Sequence, residues 1–390
     1  MSPTKFVCKH FGVCGGCRFQ NLEYPEQLEK KQKFLENLFS PLKNSPEISP
    51  IVPSPKIYFY RNKMEFSFAQ EASRLICGLH TRFNRRRVID IEECFLFSEN
   101  APSVLERVKD FFRKERVSSY NTFSHSGFLR YLVLRESKTK NDFMVNIVTT
   151  SESSLDEEAF KSALISLRLK GKKRITSLVW TISDKFSDAV VPEKFEVFYG
   201  QDYLEEEIKG FKFRIPVFSF FQVNPFILEV FFEFIKTHLE DSKERTALDL
   251  FSGVGSLSLF LAREFSFVWA VEQDELAVKT SLVNASLNNI NNVSFLNSDV
   301  KKALFLNLNL WREKIFLVFI NPPRAGLSKK IIKRIKNIVP EKIIYSSCNP
   351  KSFIVDLQNF LDCYRIKLIQ PFDFFPHTPH IEVLALLERR

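Results

Sequence analysis

The sequence predicts an α/β protein in which a doubly wound parallel sheet follows a smaller α+β unit. After about Ile215, short apolar strands and helices alternate, which is the pattern of strand–helix–strand units in a parallel sheet. From Tyr58 to about Gly210, short β-rich runs dominate instead. A chain of 390 residues can form two or three domains at roughly 100–200 residues per domain. We expect three parts, 1–55, 56–213 and 214–390.

Residues 1–55 are predicted to form a loop, a helix and a linker. Cysteine and glycine are concentrated in Cys8–Cys17, as in a metal-binding loop. A helix is predicted over Tyr24–Leu38, because apolar residues recur there at helical spacing. Five prolines in the 16 residues from Ser40 to Pro55 predict an extended linker.

Residues 56–213 are predicted to form a mixed α+β domain with a basic surface. The predicted strands are Lys63–Phe68, Leu75–His80, Leu129–Arg135, Phe143–Thr149 and Ser177–Ile182, and the predicted helices are Ala101–Arg116 and Leu155–Leu169. Residues 56–140 hold 17 Lys and Arg against 10 Asp and Glu. Such a surplus favours nucleic acid as a partner, and a solvated basic face without a partner is the alternative.

Residues 214–390 are predicted to form the doubly wound domain. The predicted strands are Ala247–Phe251, Phe267–Glu272, Val293–Leu296, Phe316–Ile320, Ile343–Ser346 and Ile381–Leu387. The helices between them are one through Ala262, Asp274–Leu287 with Asp274 as N-cap, and others near Lys329–Asn337 and Lys351–Leu361. In such a sheet ligands bind at the carboxyl ends of the strands.

A glycine pair and an acidic residue indicate a nucleoside site at that edge. Gly253 and Gly255 follow the first strand, and Glu272 ends the second, where a carboxylate can accept hydrogen bonds from ribose hydroxyls. A dinucleotide fingerprint would need a third glycine at position 258, which is Ser258. An adenosine-type cofactor such as S-adenosylmethionine therefore fits better than NAD.

Three later strand ends carry reactive or polar residues. The strand ending at Ile320 is followed by Asn321–Leu327, which reads Asn-Pro-Pro-Arg-Ala-Gly-Leu and indicates a stiff polar loop. Cys348 lies between a strand and a helix, where a thiolate is expected to have a depressed pKa and to be nucleophilic; a small buried hydrophobe is the alternative. Glu382 lies at the start of the final predicted strand and suits a general base; a solvated carboxylate is the alternative.

The cysteines predict a cluster or metal site rather than disulfides. Cys8, Cys14 and Cys17 lie within ten residues, and Cys94 supplies a fourth thiol. Four thiolates suit either zinc or a [4Fe–4S] cluster, and their spacing does not distinguish the two. The count of seven cysteines is odd, which argues against a disulfide framework.

Composition and patterning exclude several classes of protein. Aromatic residues make up 14% of the chain, including 42 Phe, which is far more than disordered chains carry. No apolar run approaches the roughly 20 residues that a membrane helix needs, and the N-terminus lacks the apolar stretch of a signal peptide. We therefore expect a cytoplasmic protein with no membrane partner.

Together these motifs resemble the bacterial RNA uracil-C5-methyltransferases that use S-adenosylmethionine. The matching segments are the cysteine cluster, Tyr60–Lys63, Phe220–Asn224, Asp249–Gly255, Asn321–Leu327, Ser346–Pro350 and Phe375–Glu382. The resemblance implies a Rossmann-like methyltransferase domain preceded by an α+β RNA-binding domain. It makes Cys348 the nucleophile and Glu382 the base that removes the C5 proton.

The resemblance also implies the ligands and the RNA. The residues lining the S-adenosylmethionine site would be Gln222, Phe251, Glu272 and Asn321, and the ligands of a [4Fe–4S] cluster would be Cys8, Cys14, Cys17 and Cys94. Most of the family has Asp where this chain has Asn321. Three features resemble the branch that methylates uracil 747 of 23S rRNA: this Asn, the sequence Ser-Ser-Cys around Cys348, and the lack of room before Cys8 for a β-barrel domain. We therefore expect a monomer that acts on 23S rRNA. The alternatives are tRNA or another 23S rRNA site as substrate, or an inactive zinc- and RNA-binding protein.

Overall fold

The structure is a computed structural model that describes residues 7–42, 46–72, 74–84, 86–186, 190, 192–240 and 242–390. Within these residues the strands form two seven-stranded sheets and one two-stranded sheet. None of the described helices is long and apolar enough to cross a membrane.

The N-terminal helix α1 (Tyr24–Phe39) confirms the helix that spacing predicted. A capping box between Glu23 and Glu26 begins the helix, and Leu35 and Phe39 are buried on its inner face. These apolar residues join the core of the C-terminal sheet, where Phe39 contacts Phe353 at 5.9 Å between ring centroids. The helix therefore packs on the C-terminal domain, although the whole central domain separates them in sequence.

The described part of the proline-rich segment after α1, residues 46–55, is extended, as predicted, and lies along the edge of the C-terminal sheet. The Ser49 amide donates to the Ile369 carbonyl at 2.9 Å, and the Val52 amide donates to the Pro371 carbonyl at 2.9 Å. A proline lacks an amide donor, so an edge is the position at which a sheet tolerates several of them.

The central sheet has the order β3-β2-β1-β4-β5-β6-β7, and its pairs are antiparallel except β5 with β6. The strands are β1 (Lys63–Glu71), β2 (Arg74–His80), β3 (Val88–Asp90), β4 (Leu129–Glu136), β5 (Asp142–Thr149), β6 (Arg174–Ile182) and β7 (Lys194–Gly200). The helices are α2 (Ala101–Lys114) and α3 (Glu157–Ile165), the latter shorter than predicted because Asp156 caps its start. The strands β3 and β7 were not predicted.

A two-stranded ribbon connects the two sheets. It consists of β8 (Tyr203–Ile208) and β9 (Phe211–Pro216), and α4 (Pro225–Lys236) follows it. Asn224 caps α4, and its side-chain amide also donates to Ser54 Oγ and to the Phe374 carbonyl, both at 3.1 Å. One side chain thus joins the proline-rich segment, the helix and the loop before the last strand.

The C-terminal sheet has the order β12-β11-β10-β13-β14-β16-β15. The strands are β10 (Thr246–Leu250), β11 (Phe267–Glu272), β12 (Val293–Asn297), β13 (Ile315–Ile320), β14 (Lys342–Ser347), β15 (Tyr364–Phe372) and β16 (Glu382–Arg389). The helices are α5 (Ser256–Glu264), α6 (Glu275–Leu287), α7 (Val300–Leu306), α8 (Leu308–Trp311), α9 (Lys329–Ile338) and α10 (Pro350–Gln358). Asp274 caps α6, as predicted.

The sheet is not parallel throughout, which corrects the expectation from alternation. The strands β12, β11, β10, β13 and β14 are parallel, but β16 is antiparallel to both β14 and β15. No helix separates β15 from β16, so the strand–helix rhythm that predicts parallel pairing ends at α10. The antiparallel direction brings the start of β16 to the edge where the parallel strands end.

Candidate active site

Five sequence-predicted site residues meet at the carboxyl edge of the C-terminal sheet. Phe251 follows β10, Glu272 ends β11, Asn321 follows β13 and Cys348 follows β14, while Glu382 begins the antiparallel β16. Because all these strand ends share one edge, the topology alone brings the five positions together. This edge is the candidate active site.

The pairing of β14 with β16 makes Cys348 and Glu382 neighbours. Ser346 pairs with Leu384, and Ser347 pairs with Val383. One further step along this register sets Cys348 beside Glu382, and the Ser346 hydroxyl donates to Glu382 Oε1 at 2.5 Å. A thiol and a carboxylate therefore lie side by side at the end of a rigid strand pair.

The Glu382 carboxyl group is held away from water. The residue is 3% exposed, and burial raises its pKa to about 7, although the hydrogen bond from Ser346 opposes the rise. A carboxyl group with a pKa near neutrality can both take up and release a proton under ordinary conditions. Glu382 is therefore not the solvated carboxylate that the sequence left open.

The Cys348 thiol does not have the depressed pKa that its position before a helix predicted. Burial raises the pKa of this thiol, and the Glu382 carboxylate raises it further. Arg324 opposes both effects, because its side chain hydrogen-bonds to the thiol and its charge favours the thiolate. The expectation was wrong because it considered the helix N-terminus and not the burial of the thiol, to which the neighbouring carboxylate adds.

Arg324 is a site residue that the sequence analysis noted in a motif but gave no role. Its loop is tied to α10: the Arg324 carbonyl accepts from Asn349 Nδ2 at 2.9 Å and from Ser352 Oγ at 3.2 Å. The loop turns at Gly326, where φ is +77° and an added Cβ would lie 2.5 Å from Asp356 Oδ2. One feature of the sequence could have indicated this role. Arg324 follows β13, and β13 neighbours β14, the strand that ends just before Cys348.

Glu272 organises the glycine loop. Its carboxylate accepts from the amides of Gly253 at 2.9 Å, Gln273 at 2.7 Å and Asp274 at 2.9 Å. Phe251 has a φ of +63°, a left-handed conformation that costs a bulky residue roughly 1–3 kcal/mol and is concentrated at functional sites. The strand end, the acidic residue and the strained turn form one unit.

This unit has room and an unused polar group for a nucleoside cofactor. Nothing lies within 4 Å of a Cβ added at Gly253. Among the described residues, the buried Ser252 hydroxyl has no hydrogen-bond partner. An orphaned buried hydroxyl beside open space fits a polar ligand, so the residues present fit the adenosine-type cofactor that the sequence predicted.

Gln222 lies on the loop before α4, and its backbone faces the central domain. The Gln222 carbonyl accepts from Asn62 Nδ2 at 2.9 Å, and the Asn62 amide donates to the Val223 carbonyl at 2.8 Å. Two motifs that are 160 residues apart are therefore in contact. The hydrogen bonds of the Gln222 backbone therefore connect it to the interface between the central and C-terminal domains. The loop at Gly253 and Gly255 is held instead by Glu272.

A buried ion pair supports the loop before Glu382, and the sequence analysis missed it. Lys31 of α1 donates to Asp373 Oδ1 at 2.6 Å and to the Phe375 carbonyl at 3.0 Å, and both charged side chains are at most 1% exposed. The Tyr24 hydroxyl donates to Asp373 Oδ2 at 3.0 Å. Because breaking such a pair leaves an uncompensated buried charge, α1 fixes the path of this loop.

The two histidines of the loop are neutral near pH 7. Burial lowers the pKa of His377 and of His380 to about 4. His377 is stacked on Tyr58 at 4.6 Å between ring centroids, and Gln27 Nε2 lies 3.1 Å from its Nδ1. The His377 ring is thus a packed part of the loop, while His380 lies nearer the surface.

The four cysteines that the sequence grouped line one small cavity. They are Cys8, Cys14, Cys17 and Cys94, and all four thiols are free. Burial raises the pKa of each thiol, to about 12 for Cys8. Among the described residues, no three His, Cys, Asp or Glu side chains are grouped so that they could hold a metal ion.

The loop of residues 8–19, here called the cysteine loop, contacts the loop that precedes Glu382. The amides of Arg18 and Phe19 donate to the His377 carbonyl at 2.9 and 3.0 Å. On the other side, the Gly15 amide donates to the His80 carbonyl at 3.0 Å. The loop therefore bridges the central sheet and the loop that precedes Glu382.

A cleft of about 1100 Å³ lies between the cysteine loop, the central sheet and the loop before Glu382. Its lining includes the arginines Arg18, Arg61, Arg82, Arg86 and Arg130. Thr378 and His380, which also line it, belong to the loop before Glu382. Part of the basic surplus predicted for residues 56–140 thus lines a cleft that borders this loop; Arg85 lies outside the described residues.

Comparison with known proteins agrees with this geometry. Residues 23–390 match the profile of the tRNA (uracil-5-)-methyltransferase family. The chain belongs to this family. It is therefore an S-adenosylmethionine-dependent RNA methyltransferase of the uracil-5-methyltransferase family, which makes NAD-dependent chemistry and an inactive RNA-binding protein the weaker interpretations.

Relatives within the uracil-5-methyltransferase family match over nearly the whole chain. An uncharacterized RNA methyltransferase of Caldanaerobacter subterraneus is 38% identical over 389 residues, 98% of this chain and 84% of the relative. The tRNA (uracil(54)-C(5))-methyltransferase of Pyrococcus furiosus is 32% identical over 382 residues, covering 98% and 85%. The Pyrococcus abyssi tRNA (uracil-54, C5)-methyltransferase, solved with S-adenosyl-L-homocysteine, has a TM-score of 0.77 at 30% identity, covering 96% of this chain and 86% of that one.

Proposed function

We propose that this protein methylates C5 of a uridine in RNA through a covalent bond between Cys348 and C6 of the uracil. The observation that carries the proposal is the pairing of β14 with β16, which sets a nucleophile beside a buried carboxyl group. Phe251, Glu272, Asn321 and Gln222 are proposed to contact the cofactor at the same edge.

The proposed chemistry assigns one task to each side chain. The Cys348 thiolate adds to C6 of the uracil, which turns the ring into an enolate with electron density at C5. Bound S-adenosylmethionine would supply an electrophilic methyl group for that carbon and, with its S–CH3 bond broken, would leave as S-adenosyl-L-homocysteine. Glu382 then accepts the C5 proton, the electrons of the C5–H bond re-form the double bond between C5 and C6, and the Cys348 thiolate leaves. Arg324 favours the thiolate at the start and at the end.

The RNA substrate is proposed to be tRNA. The relatives above whose names specify an RNA act on uracil 54 of tRNA, so the relatives favour this substrate over the expectation of 23S rRNA. The target base must leave its stack to reach Cys348, and RNA loops permit this at the lowest cost.

A second candidate substrate is uracil 747 of 23S rRNA, for which Asn321 and the Ser346-Ser347-Cys348 sequence are the specific observations. The two substrates can be separated with labelled S-adenosylmethionine and a tRNA transcript or a 23S rRNA fragment in parallel reactions. We expect one methyl group per tRNA, at a loop uridine. Label in the rRNA fragment alone would favour the second candidate.

The four-cysteine cavity is proposed to hold a [4Fe–4S] cluster rather than zinc. Zinc needs its four ligands converged at about 2.3 Å from one point, whereas a cubane cluster takes its thiolates at separate corners. The four cysteines line one cavity, which suits the second arrangement. The positive irons would also supply the charge that lowers the raised pKa of each thiol.

Replacing Cys94 with serine should remove the iron from the protein. We expect anaerobically purified wild type to contain about four irons per chain and to be brown, and Cys94→Ser to lose the colour and most of the iron. Cys363→Ser is the matched control, because Cys363 is exposed and far from the cavity in sequence. Stoichiometric zinc without iron in the wild type would contradict the cluster.

The rate at which the methylated RNA leaves Cys348 should depend on a group with a pKa near 7. A protonated Glu382 cannot accept the C5 proton, so decay of the methylated protein–RNA adduct in a single turnover should slow about tenfold per pH unit below pH 7 and become independent of pH above it. The Ser346 hydroxyl lowers the pKa of Glu382, so Ser346→Ala should move the profile to higher pH. A rate that is constant from pH 5.5 to 8 would contradict the assignment of Glu382 as the base.

A further inference from the structure

Two exposed phenylalanines lie beside the basic cleft, and each lies under an arginine. Phe123 is 71% exposed and lines the cleft; the Arg86 guanidinium lies 5.1 Å from the centre of its ring. Phe83 is 87% exposed, with the Arg82 guanidinium at 5.3 Å. A phenyl ring left in water gains nothing from folding, and the Phe123 ring is exposed among the arginines that line the cleft.

The turn that carries Phe123 holds the ring in place. Asn121 Oδ1 accepts from the Phe123 amide at 2.8 Å and from the Ser124 amide at 3.3 Å. The Asn121 amide donates to the Ser126 carbonyl at 2.8 Å, and the Tyr120 hydroxyl lies 2.9 Å from His125 Nδ1. The turn that carries the ring is therefore held by hydrogen bonds before a ligand binds. Stacking of a ligand on the ring then costs little conformational entropy.

The cleft has the chemistry of a channel for unpaired nucleic acid. Its arginines can follow a phosphate backbone, and an aromatic ring among them can stack with a base, because every base has a planar face. A duplex covers these faces with neighbouring base pairs, so only unpaired nucleotides can use the ring. Thr378 and His380 are among the residues that line the cleft, and both are close in sequence to Glu382.

We propose that the Arg86–Phe123 pair stacks an unpaired base of the RNA near the target uridine and so selects looped RNA over duplex. This inference rests on the proposed function, since it assigns the cleft to the same RNA. The pair recognises that a base is unpaired and does not read its identity, because stacking is tolerant of sequence. The loop that presents the target uridine supplies such a base.

The test is the affinity of the full-length protein for two fluorescent RNA probes. One probe is a short hairpin with a seven-nucleotide loop containing uridine, and the other is a blunt duplex with the same stem. Phe123→Ala should weaken binding of the hairpin about tenfold or more, as for loss of one stacked base, and leave duplex binding unchanged. Phe123→Leu should behave like alanine, and Phe123→Tyr should restore the affinity.

Phe305→Ala is the matched control, because Phe305 is 64% exposed with Arg334 at 4.9 Å and does not line the cleft. Equal affinity of wild type and Phe123→Ala for the hairpin would overturn the inference, as would full rescue by leucine or equal losses for both probes. Methylation of a tRNA transcript by the wild type is measured alongside. Failure of that reaction counts against the proposed function, whereas normal methylation with unchanged hairpin binding counts against the stacking pair alone.

Discussion

Replacing Cys348 with alanine should abolish methylation, by roughly 10⁴-fold or more, while S-adenosylmethionine binding stays close to that of the wild type. The thiol acts on the uracil, and the cofactor contacts are proposed to come from other strand ends. The measurements are methyl transfer to a tRNA transcript and calorimetric titration with S-adenosylmethionine. Because Cys348 is half-buried at the end of β14, alanine should be accommodated without loss of the fold.

The control for this variant is Cys363→Ala, which changes an exposed cysteine in the same domain. It should methylate like the wild type. If Cys348→Ala keeps substantial activity while Cys363→Ala is normal, no covalent bond through Cys348 is needed and the proposed mechanism is wrong.

Replacing Glu382 with glutamine should trap the reaction after methyl transfer. The C5 proton then has no acceptor, so the thiolate cannot leave and the RNA stays bonded to Cys348. We expect a protein–RNA adduct that survives denaturing electrophoresis and carries the transferred methyl group. Absence of an adduct together with near-normal turnover would show that another residue is the base, and His380→Ala would then be the next variant.

The thermal stability of Glu382→Gln shows whether this variant is folded. The pKa of Glu382 is raised from 4.5 to about 7, so the folded state prefers the protonated form and loses stability as the pH rises from about 4.5 to 7. By linkage this loss amounts to about 3 kcal/mol, and it persists above pH 7. Glu382→Gln carries no charge, and its thermal unfolding at pH 8 should occur at a temperature no lower than that of the wild type.

The strand–helix alternation was enough to predict most of the C-terminal sheet, and it failed where the alternation stopped. The strand β15 has Arg365 and Lys367 on its exposed face, and no helix separates it from β16. The helix α4 reads Pro-Phe-Ile-Leu-Glu-Val-Phe-Phe-Glu-Phe-Ile-Lys and is apolar on most faces. A helix without a clear polar face gives little periodicity from which to predict it.

The sequence could predict those parts of the candidate site that lie at the ends of parallel strands. Glu272, Asn321 and Cys348 could be grouped, because parallel strands bring their carboxyl ends to one edge. The Lys31–Asp373 pair joins residues 342 positions apart, and no local pattern indicates such a contact. The direction of the Cys348 pKa was likewise out of reach, since it depends on the burial of the thiol itself and, after that, on the Glu382 carboxylate.

Release of tritium from RNA labelled at C5 of uridine tests the central claim most directly. If the protein methylates C5 through Cys348 and Glu382, a tRNA transcript made with [5-³H]uridine should release one tritium to water for each methyl group incorporated. Cys348→Ala should release none. Methyl incorporation without tritium release would place the methyl group on another atom and contradict the account.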